Sequence, residues 1–566
     1  MLANLPASSI DILDWSWEQF APFANDLLSR SITPDTLEEF MLDWTRFNDL
    51  TGEAGSRIYV GTTLNTQDDV AQARFMNLIQ NLYPEFSKLE NELQKKLVES
   101  GLTPANYDVP LRSIRSQIAL FREENLPLFT ELQKLEHEYN QIVGAQSVEW
   151  EGETVTLKQM DKVLMSSDRA TREKAFKLIS ERRLQDRETL NTMWTTLYNL
   201  RAQIAKNAGF DNYMAYRWQE MERFDYTVED VQEFHAAIEK TVVPAVKRLN
   251  EKRAKEMGLD VLKQWDVYPD AQGRTPLKPF STGDELAEGS GSIFNQLDAQ
   301  LGKYFERMVT ENLLDLENRP NKAPGGYCTT YSNIKSPFIF MNSVGIHDDL
   351  QTMLHEAGHA FHAFESLVHP YTGQTHAPIE FCEVASMTME LLTQPYLTQD
   401  KGGFYSESDA ARASIEHLES MLVFWPYMAV VDAFQTWVYT SPDGSDPAKC
   451  DAKWAELWGR FKQGVDYSDI PDWAATGWHR KLHIFQIPFY YIEYGIAQLG
   501  AAQVWANSLK DHEGALKAYR YGLSLGNTKP LPQLFEAAGV KLAFDAGMLG
   551  GIVALIEERI HTLETV

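Results

Sequence analysis

Apolar side chains return at intervals of three and four along most of the chain, the spacing of helices that bury one face. Between Asp68 and Glu99, Ala71, Phe75, Leu78, Ile79 and Leu82 recur in this way, and Gly101 supplies a stop. Thr33-Pro34 reads as a helix start, so the stretch from Trp15 to about Leu102 is expected to form an antiparallel helical layer. Thr227-Val228-Glu229-Asp230 has the form of a capping box, and Val231, Phe234, Ile238 and Val242 follow as a buried stripe. The periodicity breaks in three regions. Val148 to Leu157 alternates apolar with polar around Gly152, which predicts a hairpin. Prolines and glycines cluster from Gly258 to Thr282, and Gly289-Ser290-Gly291-Ser292 reads as a flexible turn before a further helix. Tyr327–Tyr331 and Pro337–Met341 are β-rich runs joined by a short connection, and such a pair can bind a peptide as an added strand. The pattern predicts a mainly α protein with one small sheet, dividing near residue 225.

The segment Met353-Leu354-His355-Glu356-Ala357-Gly358-His359-Ala360-Phe361-His362 carries the chemistry. At about 100° per residue, His355 and His359 fall on one face of a helix, one turn apart, and can hold the same ion. Two imidazoles suit zinc, with a third protein ligand and a water completing a tetrahedral set. Glu356 flanks that water as a general base. Met353, Leu354, Phe361 and Phe364 make the helix apolar, a setting in which unpartnered imidazoles are costly. Glu383, 28 residues beyond His355, is the best third ligand; it lies in a second predicted helix that opens at Pro378 and also carries Glu380 and Glu390 near one face.

His-Glu-x-Gly-His-Ala-x-His, followed by Glu383-Val384-Ala385-Ser386-Met387, resembles the oligoendopeptidase F branch of the thimet oligopeptidase family of zinc peptidases. The likeness extends to Gly326-Tyr327-Cys328, Pro337-Phe338-Ile339-Phe340-Met341-Asn342, His483 and Pro488-Phe489-Tyr490-Tyr491-Ile492-Glu493-Tyr494. It implies a two-lobed helical body around a deep substrate channel, with the small sheet beside the zinc-binding helix. Residues 1–224 would form an N-terminal helical lobe and residues 225–566 the zinc-binding catalytic lobe. It further implies an endopeptidase for short oligopeptides holding one Zn2+ per chain on His355, His359 and Glu383. His483, Tyr491 and Tyr494 would face the zinc and donate hydrogen bonds to the oxyanion formed when water attacks the amide. The spacing from His483 to Tyr491 is one residue shorter than in thimet-type relatives, which keeps His479 and Tyr490 as alternatives. Tyr491 and Tyr494 share a face if a helix begins near Pro488. A zinc carboxypeptidase of similar fold, with Arg480 or Lys481 anchoring a terminal carboxylate, is the nearest rival, and a catalytically silent peptide binder the next.

Charge and cysteine usage narrow the setting. Acidic residues number 80 against 52 basic ones, for a net charge of −28, which repels nucleic acid and anionic membranes. Three scattered cysteines, Cys328, Cys382 and Cys450, make no disulfide framework and fit a reducing, cytoplasmic compartment. The opening residues lack a basic region followed by an apolar run, and nowhere do about 18 apolar residues run uninterrupted.

Overall fold

The computed structural model describes residues 2–566. Helices dominate, and the described strands form three small sheets. The N-terminal layer contains helices Trp17–Ser29, Leu37–Leu64 and Tyr83–Glu99, whose apolar faces close on a core of their own that includes Phe20, Phe47, Leu93 and Leu97. A larger core runs from Val60 to Ile560. The expected start at Thr33-Pro34 is a turn: the Thr36 hydroxyl accepts from the Thr33 amide at 2.9 Å and donates to the Ser31 carbonyl, which delays the helix to Leu37. The capping box at Thr227 forms in full, opening helix Val228–Glu256.

Strands Ser147–Trp150 and Glu153–Thr156 pair as the expected hairpin, turning through Glu151 and Gly152, both at positive φ. Gly289-Ser290-Gly291-Ser292 is no turn. It lies inside helix Gly283–Leu297, which Thr282 caps through the Glu285 amide. The small residues there serve packing: a Cβ on Gly289 would run into the Phe404 ring, and Ser290 is fully buried.

Strands Tyr327–Tyr331 and Ser336–Ser343 pair antiparallel, and Leu314–Glu317, unseen in the pattern, adds in parallel on the far side of Ser336–Ser343. Tyr327–Tyr331 is therefore an edge strand. The sheet packs on helix His347–Ser366, which packs in turn on helix Ile379–Leu392, and that on helix Tyr491–Ser508. Close crossings between these helices rest on glycine. A Cβ on Gly358 would stand 2.5 Å from Ser386 Cα and 2.7 Å from the Ala385 oxygen; one on Gly500 would stand 2.8 Å from Val384 Cγ2. Pro378 immediately precedes its helix, and the last helix of the three begins at Tyr491, beyond Pro488. Phe489 at φ 67° turns the chain into it. Among the described residues no helix is long and apolar enough to cross a membrane.

Candidate metal centre and the groups around it

Met353, Leu354, Phe361 and Phe364 are buried and hold helix His347–Ser366 in the core, so His355 and His359 face the next helix. Glu383 Oε2 lies 3.4 Å from His355 Nε2 and 3.8 Å from His359 Nε2, and the three donor groups fall within 4.8 Å of one another. Both separations exceed a charge-assisted hydrogen bond, which runs to about 2.9 Å. They match two ligands of one tetrahedral ion about 2.1 Å from each, which stand about 3.4 Å apart. Two neutral-capable imidazoles and a carboxylate, converging without bonding each other, fit a single zinc-class cation.

Each carboxylate on helix Ile379–Leu392 has its own partner. Glu390 Oε1 accepts from His355 Nδ1 at 2.6 Å, which fixes the ring and leaves Nε2 free to face Glu383. Its other oxygen lies 3.6 Å from His417 Nε2. Glu380 faces away and accepts from the Tyr226 hydroxyl at 2.6 Å. Burial pushes the Glu383 carboxyl up, but the His355 and His359 rings and the Ser386 hydroxyl outweigh it and leave it below the ordinary carboxylate value. His359 is pulled down to about 4, mainly by burial.

Glu356 sits beside this cluster, 8% exposed. Burial lifts its carboxyl to about 7; His355 and a hydrogen bond from the Cys328 backbone pull the other way, and Glu383 adds to the rise. The edge strand thus touches the group that the motif assigns as base.

The aromatic segment borders a cavity of about 590 Å3 whose walls include His483, Tyr491 and Tyr494 together with His417 and Glu390, the carboxylate bonded to His355. The His483 ring is 4.9 Å from that of Tyr491 and 6.4 Å from that of Tyr494. Burial and Lys481 hold His483 down to about 4, so it is neutral. The tyrosines differ. Tyr494 is lifted to about 12 by burial and by Glu383, with Glu356 contributing; Tyr490 is raised further by burial, Tyr494 and Glu383, and the two hydroxyls interact. Tyr491 packs between Phe424 and Tyr427, with the Lys481 ammonium 3.7 Å over its ring, and neither Glu356 nor Glu383 figures in its raised value. His479 does not join them. Its Nε2 bonds Asn191 Oδ1 at 2.9 Å, and it lines a different cavity.

Three arginines that the sequence reading did not assign to the site hold this segment. Arg201 donates to the carbonyls of Ile484 and Phe485, Arg217 to that of Pro488, and Arg223 to that of Phe489 and to Glu493 Oε1. Gln435 accepts from the Phe489 amide at 2.8 Å. Ile484 and Phe485 end the short helix Leu482–Phe485, and Pro488 and Phe489 lie in the turn beyond it, so these carbonyls have no helical partner and the guanidinium groups satisfy them. The signal in the sequence was faint: arginines at 201, 217 and 223 in otherwise amphipathic helices and the turn beyond them.

A helical body that brings two histidines and a glutamate together, with a second, buried carboxylate beside them, has the makings of a metal-dependent hydrolase. The chain belongs to peptidase family M3, whose family model matches residues 163–553. It is 25% identical over 421 residues to the group B oligopeptidase PepB of Streptococcus agalactiae serotype III (strain NEM316), covering 71% of this chain and 65% of that one. An oligoendopeptidase F homolog of Lactococcus lactis subsp. lactis (strain IL1403) is 24% identical over 416 residues, with the same two coverages. The chain thus spans a little under two thirds of the length of these relatives. A solved structure of PZ peptidase A with inhibitor 2 superposes with a TM-score of 0.85 at 27% identity, covering 100% of this chain and 99% of that one.

Proposed function

We propose that the chain is a zinc endopeptidase that hydrolyses internal peptide bonds of short oligopeptides. The observation that carries this reading is the convergence of His355, His359 and Glu383 beside the buried Glu356. M3 peptidases are zinc metalloenzymes. His355 Nε2, His359 Nε2 and Glu383 would hold the ion, which when bound polarises the scissile carbonyl and acidifies the attacking water.

The protein groups do the rest. Glu356, poised at about 7, takes the proton of the attacking water as the C–O bond forms, and returns it to the amine nitrogen as the C–N bond breaks. Tyr494 and Tyr490 keep their phenolic protons well above neutral pH and can donate to the oxygen that becomes negative. Glu390 keeps His355 turned toward the ion. The cavity admits a peptide segment and not a folded domain, and the edge strand Tyr327–Tyr331 offers backbone groups beside Glu356, which favours sequence-tolerant binding. Division into a helical lobe of residues 1–224 and a catalytic lobe of residues 225–566, and a cytoplasmic setting for three free cysteines, belong to the same reading.

The test is a quenched peptide blocked at both ends. Zinc-loaded protein is expected to cut it internally, stripped protein to be inactive until zinc is restored, and Glu356→Gln to keep its zinc while losing nearly all turnover. Cleavage confined to peptides with a free terminus would overturn the endopeptidase assignment, and full activity of Glu356→Gln would remove that residue from the mechanism.

A further inference from the structure

A second cavity, of about 60 Å3, lies apart from the metal centre and shares no lining residue with the larger one. Two guanidinium groups line it, Arg183 from the last turn of helix Arg169–Gln185 and Arg480 from the short 3-10 turn Gly477–Arg480. Arg480 lies 3.9 Å over the Trp473 ring and spends one nitrogen on the Trp473 carbonyl at 2.9 Å. Arg183 makes no side-chain hydrogen bond or ion pair with any of the described residues. The remaining polar walls are neutral: Gln146, Ser180, Thr476 and His479.

The absence of a carboxylate here is unusual for this chain, in which acidic side chains outnumber basic ones by 28. Arginines on either side have theirs: Arg182 pairs with Asp186 at 2.7 Å, and Arg187 pairs with Asp451. Two like charges lining one small, half-buried space cost free energy that the Trp473 ring and carbonyl on Arg480, and the longer-range attraction of Asp161 for Arg183, offset only in part. Burial depresses both guanidinium groups, and Arg183 adds to the fall at Arg480, which drops to about 10.

We propose that this cavity binds a small inorganic anion, a halide or a tetrahedral oxyanion, bridged by Arg183 and Arg480. The volume has room for about four to six waters at roughly 10–15 Å3 each, which admits such an ion with its remaining hydration and is small for a nucleotide or a peptide. Planar guanidinium forks suit either guest. Binding would also steady the approach to the larger cavity. Arg480 is followed by Lys481, which caps the Tyr491 ring, and then by His483, while Tyr139 donates to the His479 carbonyl at 2.9 Å.

The test is thermal melting of the zinc-loaded full chain in sodium gluconate, chloride and phosphate at equal ionic strength, together with crystals soaked in bromide. The expected result is a saturable rise in Tm of about 3 °C or more in chloride or phosphate over gluconate. A response to chloride, with a bromide peak between Arg183 and Arg480, identifies a halide site; a response to phosphate alone identifies an oxyanion site. Arg183→Gln should abolish the rise while melting in gluconate no lower than the parent, because it removes a half-buried charge that no side chain pairs with directly. Equal melting in all three salts with no bromide peak overturns the proposal, and so does an undiminished shift in Arg183→Gln. If that variant does not fold, the bromide peak in the parent protein decides.

Discussion

Tyr491 and Tyr494 stand three apart on one helix, yet their surroundings ask different things of them. Tyr494 responds to Glu383 and Glu356, whereas Tyr491 is wedged between Phe424 and Tyr427 under Lys481. Replacing Tyr494 by Phe removes a hydroxyl and keeps the ring, so kcat should fall by about 100-fold or more with KM little changed, the mark of a bond that strengthens in the transition state. Tyr491→Phe should leave kcat within a few-fold of the parent. Steady-state kinetics on the blocked peptide reads both, and equal losses would return Tyr491 to the reaction. The carboxylates separate in the same way. Glu383→Ala removes one of three converging donors and should abolish zinc retention at limiting free metal; Glu390→Gln leaves all three and should weaken metal affinity by about 10–100-fold, the usual worth of a ligand's supporting hydrogen bond. Equilibrium dialysis against a zinc buffer distinguishes them, and unchanged affinity in Glu383→Ala would pass the ligand role to Glu390 or Glu380.

At the scale of elements, the centre depends on how closely two helices cross. Gly358 lies between the two motif histidines, and a Cβ there would meet the backbone of Ser386 and Ala385, which cannot move aside as a side chain can. Gly358→Ala should therefore push helix Ile379–Leu392 outward, lowering stability by about 1–3 kcal/mol and zinc affinity with it. Urea unfolding of the metal-free protein measures the first effect, and dialysis the second; a variant of parental stability and affinity would show that the crossing has slack. The motif helix and its neighbour were legible in the sequence because their pattern is local: spacing of four for the histidines, and helical period for the apolar face. Other elements were not. The glycine-serine run inside Gly283–Leu297 has turn composition, and only the Phe404 ring lying against it explains why small residues stand in a helix. Strand Leu314–Glu317 is four residues long and gains its identity from pairing with residues some 25 positions later. The arginines that tie down Ile484 to Phe489 act across more than 250 positions, a distance no window of sequence covers.

For the molecule as a whole, pH acts through groups that folding removes from water, and these pull in opposite directions. Glu356 and Glu493 are raised to about 7 and about 8, chiefly by burial, so the folded state holds protons that the unfolded chain releases, and stability from them falls as pH rises from about 4.5. His362 and His479 are held down to about 3, again chiefly by burial. Between pH 3 and about 6.5 the unfolded chain binds protons at these two that the fold refuses; their contribution is fully present above about 6.5 and is lost as pH falls. Opposed slopes make the total a poor probe, but a single replacement isolates one of them. His479 is the cleanest, since it is remote from the metal donors and its one side-chain hydrogen bond, to Asn191, can be made by an amide. In His479→Gln the unfolded state no longer gains a proton at this position. Whatever the variant loses at pH 7, its deficit against the parent should shrink by about 2 kcal/mol on going to pH 5, because over that interval only the parent pays for keeping an imidazole neutral. Urea midpoints of both proteins at the two pH values, with zinc held saturating or absent throughout, give the difference directly. A deficit independent of pH would mean that His479 is protonated in the fold, and that an acidic or anionic partner reaches it.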